Sequence, residues 1–578
     1  MLGLNLEYPL LLPTVLEHAA AAFADTELVA HGRTETVHST YRDTAMRSRR
    51  LASSLQRLGL TAGGFVGSLA WNTHRHLELF YGVSGSGGVL HTANPRLPPE
   101  QILYTINFTG YRTLFIDVDT LPLAEQLAPR LESVDCFVVM AARTDMPSTS
   151  LANLHCYEDL IGTGDAAFAW PQLDERNACA LCFTSGTTGR PKGVLYSHRG
   201  TVLSALSTGG GNGWALSAND TVLGIPGFFH CNGWGVPFLA PMYGAKLVLP
   251  GRRADSEWLH RLIVEEGVTV AAAVPTVWLG MLEYCRERGL RPGRLRRIFS
   301  GGTAPPAAMI EAYFRDYGVR ISHGWGMTET THGATVSFAN DDLPLHTAVA
   351  KMRTQGKPLY GNEVRIVDDE DKPLPRDGVT PGHLQCRGHW IAGGYFRQPA
   401  VNLQTADGWM RTGDIAVIDP DNTLHIVDRA KDVIKSGGEW ISSQALEEAA
   451  SLYPGVQEAA VIAVPHPRWQ ERPFLIVVMK DDATVPPQAL RRHLLNHVPK
   501  WWLPEAIAFA KELPRGPTGK LQKEVLRRCL GDGVIAATDG SIVTIEPQAN
   551  NARTPGVGDG TFTDRETMAS RNTPSRRG

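Results

Sequence analysis

No stretch of this sequence stays apolar long enough to cross a bilayer. The most apolar run, residues 268–282, is about 15 residues long and contains Pro275 and Gly280, whereas a spanning helix needs roughly 20 residues without such breaks. It reads as a buried strand followed by a helix. Charge of one sign is missing too. Fifty-six Lys and Arg stand against 59 Asp and Glu, a formal net charge of -3, so no global field gathers nucleic acid or an anionic membrane, and nucleic-acid binding is set aside. The first residues lack a basic leader and meet Glu7 and Pro9 early, so neither a signal nor a transit peptide is expected. Ser575-Arg576-Arg577-Gly578 at the other end is no peroxisomal or retention address. Cysteine is scarce: eight scattered over 578 residues point to reduced thiols in a cytoplasmic protein rather than a disulfide framework. Cys179 and Cys182 form a CxxC inside the apolar ACALCF, with no second ligand pair at zinc spacing. A structural strand is the expectation there.

What is present is the composition of a globular chain too large for one core: 43% hydrophobic, 20% charged, 58 Gly and 38 Pro. Between 180 and 324, short apolar runs at 221–226, 246–250, 268–273, 296–302 and 319–324 alternate with helical segments at 256–267, 275–288 and 305–317. That alternation predicts an α/β layer structure with largely parallel strands. An amphipathic helix is expected at 41–58, a strand at 65–71 and a helix from His74 through Val83. After Tyr360 the texture turns to short strands with polar turns, the mark of a β-rich subdomain. Beyond Asp428-Arg429-Ala430-Lys431 a small α+β module is expected, with helices at 443–452 and 487–497 and strands at 456–464 and 474–480. The predicted division is 1–429 as a large N-terminal domain, 430–535 as a small C-terminal domain and 536–578 as a disordered tail, in which Phe562 is the sole aromatic residue.

Residues 184–193 read Thr-Ser-Gly-Thr-Thr-Gly-Arg-Pro-Lys-Gly, between the strand-like ACALCF and VLYSH. Gly186 and Gly189 let backbone amides approach an anion closely, Thr184, Ser185, Thr187 and Thr188 offer hydroxyls, and Lys192 brings charge. That is the composition of a phosphate cradle. It is not a Walker A loop, because no G-x-x-x-x-G-K-[ST] register fits it, and Gly519-Lys520 fails the same test. The decapeptide resembles the signature of the adenylate-forming superfamily, which comprises acyl-CoA synthetases, luciferases and peptide-synthetase adenylation domains. Taken alone, a bland Gly/Ser loop is its other reading.

The resemblance implies ATP-driven activation of a carboxylate, in which the carboxylate attacks the α-phosphorus and pyrophosphate departs. It also implies that the 184–193 loop holds the β- and γ-phosphates, in a large layered α/β domain carrying a small mobile lid. His323-Gly324-Trp325-Gly326-Met327-Thr328-Glu329-Thr330 is similar to a second core motif. By that likeness Trp325 stacks on adenine, Thr328 meets the α-phosphate, and Glu329 with Thr184 ligates Mg²⁺, a hard cation suited to oxygen ligands beside phosphates. Trp325 stands where Tyr is commonest and keeps a flat stacking face; a core tryptophan is the other reading. Ser300-Gly301-Gly302-Thr303-Ala304-Pro305 resembles the segment that lines adenine and the acyl group at a strand end. Asp407-Gly408-Trp409-Met410-Arg411-Thr412-Gly413-Asp414 is similar to a third motif, whose aspartate takes both ribose hydroxyls. Arg429 is the second contact implied, and in isolation Asp414 is a turn residue.

The segment from Asp428 to Ser443 resembles the family's hinge, with Lys431 at the pivot about which the small domain rotates after adenylation. Lys435 and the turn Gly437, Gly438, Glu439 and Trp440 then face the adenylate and the CoA thiol. Pro514-Arg515-Gly516-Pro517-Thr518-Gly519-Lys520 resembles the motif that sets Lys520 on the carboxylate and α-phosphate, although PRTxxGK or PKTxxGK is the common form. A solvated terminal lysine is its alternative. His230, in Pro226-Gly227-Phe228-Phe229-His230-Cys231-Asn232-Gly233-Trp234, falls where a gate to the carboxylate tunnel is implied, or else is a core or cap residue.

HCNGWG, HGWGMTE and SGGEWISS place the likeness nearest medium-chain and long-chain fatty acyl-CoA ligases and methylmercaptopropionate:CoA ligases, over about residues 1 to 530. The implied pocket draws on Trp234, Val274, Gly301 and Gly326. The implied activity is an ATP-dependent carboxylic acid:CoA ligase for a fatty acid or similar aliphatic acid, with ATP, Mg²⁺ and CoA as reaction partners and a homodimer as an allowed assembly. Transfer to a carrier protein stays open as the alternative acceptor, and a non-catalytic binding protein is disfavoured by Thr184, Glu329, Asp414 and Lys520. Amino acids are not expected as substrates, since FFHCNGW offers no aspartate for an α-amino group. The tail is too short for a following carrier domain.

Overall fold

The computed structural model describes residues 3–33, 35–184, 190–338, 343–480, 485–516, 521–531 and 542–543. Among them the strands form four sheets. The first runs in the order Leu154–Cys156, Cys136–Val139, Thr113–Ile116, Phe65–Leu69, Val89–Ala93, Ala178–Phe183, Gly193–Ser197. Its neighbours are parallel except the last pair, an antiparallel hairpin. The second has a parallel centre, Glu27–His31, Lys246–Leu249, Thr221–Leu223, Val270–Ala273, Arg297–Gly301 and Arg320–Trp325, with antiparallel strands added at both ends. Register in this sheet sets Ser300 beside His323 and Gly301 beside Gly324, which brings two of the motifs to one strand edge.

The expected alternation is borne out, and its reason is visible. Val270–Ala273 is buried at every position, as a strand covered by helices on both faces must be, so it reads as a continuous apolar run. Pro275 opens the next helix and Gly289, at φ +62, ends it, so Pro275–Arg288 has the bounds that those two residues predict. Tyr41–Arg57 begins with a capping box in which the Thr40 hydroxyl accepts from the Asp43 backbone N–H. Together with Leu12–Ala22 and His74–Gly85, that helix shares one core with Val66, Leu90 and Phe115 of the first sheet and Leu28, Leu247 and Val270 of the second. Cys179 and Cys182 lie buried in the strand Ala178–Phe183.

The β-rich region is an antiparallel sheet of Asn362–Val367, Gly382–Gly388, Met410–Ile418 and Leu424–Arg429. The C-terminal module packs the helices Ser443–Ser451 and Pro487–Leu494 on a sheet built around Gln470–Met479, which pairs with Val456–His466 and Ala506–Ala510. The tail expected to be disordered lies outside the described residues except at Ile542–Val543, which pairs in parallel with Phe509 and Ala510. There the free edge of a strand offers unpaired backbone groups. Among the described residues no helix is long and apolar enough to cross a membrane.

This core is sensitive to acid. His76, His91, His198 and His323 are each at most 3% exposed, and burial, which disfavours the charged ring, holds them at about 4, about 3, about 4 and about 4. Because the folded values lie below the unfolded 6.5, the unfolded chain binds more protons as pH drops. Stability is therefore full above pH 6.5 and is lost progressively below it, by up to about 1.4 kcal/mol per pH unit for each ring. The apparent Tm is expected to fall by several degrees between pH 7 and pH 5; a flat profile across that window would contradict this assignment.

Candidate functional site

A cavity of about 390 Å³ opens at the C-terminal edge of the parallel strands and is closed on its far side by the C-terminal module. Ligands collect at this edge in open α/β sheets. Gly301, Gly302, Gly324 and Gly326 form part of its wall. Gly302 has φ +84, and a Cβ on Gly326 would stand 2.9 Å from the Gly333 Cα, so side chains are excluded where the backbone folds most tightly.

Two buried carboxylates support the wall: Glu329 lines the cavity, and Asp414, which does not line it, holds the lining residues Trp325 and Arg429. Asp414, 2% exposed on Met410–Ile418, sits opposite Arg429 in the strand register. Arg429 Nε approaches Asp414 Oδ1 at 2.9 Å, and Trp325 Nε1 donates to Oδ2 at 2.9 Å. Glu329, 4% exposed, lies in the turn Thr328–Thr330 and accepts from the Tyr395 hydroxyl at 2.5 Å. Burial and the neighbouring Glu329 charge push the Tyr395 phenol well above its ordinary range, so it remains a donor. The ammonium of Lys192 lies 4.8 Å from the Tyr395 ring centroid, linking the phosphate-type loop to Glu329 through one aromatic side chain. Thr184 and Lys192 close the base of that loop, Thr184 N–H donating to Lys192 O at 2.9 Å and Lys192 N–H to Thr184 Oγ1 at 3.1 Å. Ser185, Gly186, Thr187, Thr188 and Gly189 lie outside the described residues.

His230 and Trp234 line the cavity on either side of a left-handed turn with φ +41 at Cys231, +41 at Asn232 and +55 at Trp234. With Gly233 and Gly235, five consecutive residues from 231 to 235 have positive φ, a run held only by a packed surround. Val274 packs against Gly302 rather than lining the cavity, and Thr303 and Ala304 are exposed beside it. His323 is set back from the cavity: its Nδ1 bonds the Arg353 carbonyl at 3.0 Å, an anchoring contact.

From the hinge segment, Arg429 and Lys431 reach the cavity. Lys435, Gly437, Gly438, Glu439 and Trp440 do not. They form the hairpin Ile434–Ser436 and Glu439–Ile441, with the Lys435 backbone N–H on Glu471 at 2.8 Å and the Trp440 ring 5.7 Å from His383. Lys520 lies outside the described residues, while its neighbours Leu521 and Gln522 line the cavity.

Several cavity residues carry no motif signal. Lys523 bonds Ser443 Oγ at 2.5 Å and Glu447 at 2.8 Å, and Ser443 in turn donates to the buried Asp428, so one chain of contacts ties the last helix to the hinge. Arg527 adds a 2.6 Å pair with Asp432. Tyr395, which meets the site through Glu329, is likewise invisible to motif reading, because its segment has no distinctive spacing; His332 lines the cavity two residues beyond the His323–Thr330 motif.

The description "AMP-binding enzyme" matches residues 16–396 of this chain, and "AMP-binding enzyme C-terminal domain" matches 445–520. The chain is 43% identical over 537 residues to a medium-chain-fatty-acid–CoA ligase of Ectopseudomonas oleovorans, covering 92% of this chain and 98% of that one. It is 43% identical over 540 residues to a 3-methylmercaptopropionyl-CoA ligase of Ruegeria pomeroyi, covering 92% and 99%. Among solved structures, the crystal structure of an anthranilate CoA ligase in complex with anthranoyl-AMP superposes with a TM-score of 0.81 at 25% identity, over 91% of this chain and 99% of that one.

Proposed function

The chain belongs to the AMP-binding enzyme family, and from that premise we propose that it is an ATP-dependent carboxylic acid:CoA ligase acting on a fatty acid or similar aliphatic acid in the cytoplasm. The observation that carries the reading is the single cavity in which the strand-edge glycines, Glu329, Arg429 and the segment after Lys520 meet. In the first half-reaction a carboxylate oxygen of the acid bonds to the α-phosphorus of ATP while the bond to the bridging oxygen breaks and pyrophosphate leaves. In the second, the CoA sulfur attacks the acyl carbonyl, AMP departs, and the thiol proton goes to solvent.

The residues have distinct work in this scheme. Asp414 accepts from the ribose hydroxyls, its carboxylate pre-set by Trp325 and Arg429. Thr184, Ser185, Gly186, Thr187, Thr188, Gly189 and Lys192 cradle the departing phosphates, and Thr328 stands at the α-phosphate. Lys520 offsets charge on the carboxylate and α-phosphate during adenylation. Rotation of residues 430–535 about Lys431 then exchanges Lys520 for Lys435 and the 437–440 turn. His230 and Trp234 border the acyl entrance. Glu329 and Thr184 fit Mg²⁺: one buried carboxylate and one hydroxyl beside a phosphate cradle match a cation that takes one or two carboxylates plus substrate phosphates. When bound, the ion supplies charge neutralisation at the phosphates.

Mass spectrometry of the protein incubated with ATP, Mg²⁺, CoA and an acid panel from methylmercaptopropionate and butyrate through octanoate and palmitate to benzoate tests the reading. Thioester with AMP and pyrophosphate is expected. Acid-dependent pyrophosphate without thioester transfers the activity to another acceptor. Glu329→Gln is expected to raise the Mg²⁺ concentration for half-maximal adenylation by about 10-fold or more, since a charge-assisted contact contributes about 1.5–3 kcal/mol. An unchanged Mg²⁺ titration would remove this ligand.

A further inference from the structure

Strand register cuts a slot into one end of the cavity. Gly301 pairs with Gly324, and Gly324 with Val336, and partners in a register row project to the same face of a sheet. The first two positions carry no side chain. A Cβ on Gly301 would stand 3.4 Å from the Trp234 ring, and one on Gly324 would stand 4.0 Å from Val336 Cγ2, so the slot runs from Trp234 across two glycines to Val336. All four residues line the cavity. Phe299 lies two positions before Gly301 on the same strand, hence on the same face. It stacks on Trp214, ring centroids 4.7 Å and planes 6° apart, and both rings line this end. Thr208 and Leu359 complete it, and none of these side chains is charged.

Leu359 follows the edge strand Lys357–Pro358, which pairs with Thr335–Val336, and its backbone N–H donates to the Ala334 carbonyl at 2.9 Å. It lines the cavity and also lines a second space, of about 500 Å³, that opens at the surface. Among the described residues Leu359 alone lines both. Leu203, Leu206, Phe338, Tyr360 and Trp390 give the second space apolar walls, and Leu206, Phe338 and Tyr360 are exposed. Lys357, which also lines it, is paired with Asp421 at 3.3 Å. The Ser207 hydroxyl donates to the Tyr360 carbonyl at 2.8 Å and ties the helix His198–Gly209 to this wall. One leucine therefore stands between an apolar slot inside the site and an apolar groove outside it.

Burying an alkyl chain in such a slot is favourable in proportion to the apolar area removed from water, until the chain meets a side chain that packing holds in place. The cavity of about 390 Å³ takes the nucleotide as well as the acyl group, so little of it is left for a long tail. Resting on the ligase reading above, we propose that Leu359 is the end wall that sets acyl length. The preferred acid is then a short- to medium-chain aliphatic acid whose last carbon stops at Leu359, and the groove behind is reached only when that side chain is shortened.

The test compares kcat/KM for thioester formation across butyrate, hexanoate, octanoate, decanoate and palmitate. The parent is expected to peak within the series and to be slower with palmitate than with octanoate by about 10-fold or more, since a single methylene in a hydrophobic pocket is read at about 10- to 200-fold. Leu359→Ala joins slot and groove and is expected to raise the palmitate-to-octanoate ratio by about 10-fold or more. Leu359→Val, a smaller truncation of the core, is expected to move the ratio the same way by less. Adding Phe338→Asp to Leu359→Ala is expected to cancel the gain, because a carboxylate then meets the emerging tail, whereas Phe338→Asp alone leaves every acid at the parent rate. A ratio unchanged in both folded truncations, or a parent that uses palmitate as well as octanoate, would overturn the inference and leave the ligase reading standing. Absence of both pyrophosphate and thioester with every acid would contradict the ligase reading itself and remove the premise of the inference with it.

Discussion

Lys520→Ala is expected to slow acyl-adenylate formation by about 10²- to 10³-fold, while thioester formation from supplied acyl-adenylate stays near the parent rate. Loss of one well-placed electrostatic donor to developing charge typically has that effect. The reasoning rests on the chain around the lysine. Leu521 and Gln522, the two described residues that follow it in the sequence, line the cavity. The helix that follows is tied to the hinge by Lys523 through Ser443 to Asp428 and by Arg527 to Asp432. Single-turnover assays of the two half-reactions separate the outcomes. Equal losses in both would contradict an adenylation-specific role and assign the effect to the fold of the module.

Asp414→Ala is expected to lower kcat/KM for ATP by about 10²-fold or more. Two hydrogen bonds from ribose to a buried carboxylate contribute about 1.5–3 kcal/mol each. The same substitution strips the acceptor from Trp325 Nε1, 2.9 Å away, and the ion pair from Arg429, so the adenine face loses its brace together with the ribose contact. The apparent Tm is expected to fall by a few degrees. Affinity for ATP, measured by calorimetry on folded variant, distinguishes the two contributions. A lowered Tm with unchanged ATP affinity would make Asp414 a structural residue and remove it from the nucleotide site.

The sequence made the parallel sheet legible because its strands are buried on both faces and must read as unbroken apolar runs. The helix Pro275–Arg288 was bounded by its own proline and glycine. Boundaries failed where pairing, rather than composition, decides the element. The strand expected at 474–480 begins at Gln470, because the polar residues Gln470, Glu471 and Arg472 are held by their ladder with Val464, Pro465 and His466. The helix expected at 487–497 ends at Leu494, where the amphipathic repeat gives way to Asn496 and Pro499.

The candidate site divides along the same line. Asp414, Glu329, Lys192 and Gly302 sit in short motifs with fixed neighbours, so they could be named from sequence. Tyr395 and Lys523 make their contacts across long stretches of chain: the Tyr395 hydroxyl meets Glu329 across 66 positions, and Lys523 meets Ser443 across 80. No local pattern encodes such a meeting.

The most direct test is ATP–pyrophosphate exchange measured with labelled pyrophosphate, Mg²⁺ and a turned-over acid, with CoA left out. Formation of a reversible acyl-adenylate in this cavity predicts exchange that requires the acid, survives the absence of CoA and falls by about 10²-fold or more in Lys520→Ala. Thioester formation from the same acid with no exchange, or with ADP and phosphate as products, would contradict an adenylate intermediate and with it the assignment of the site.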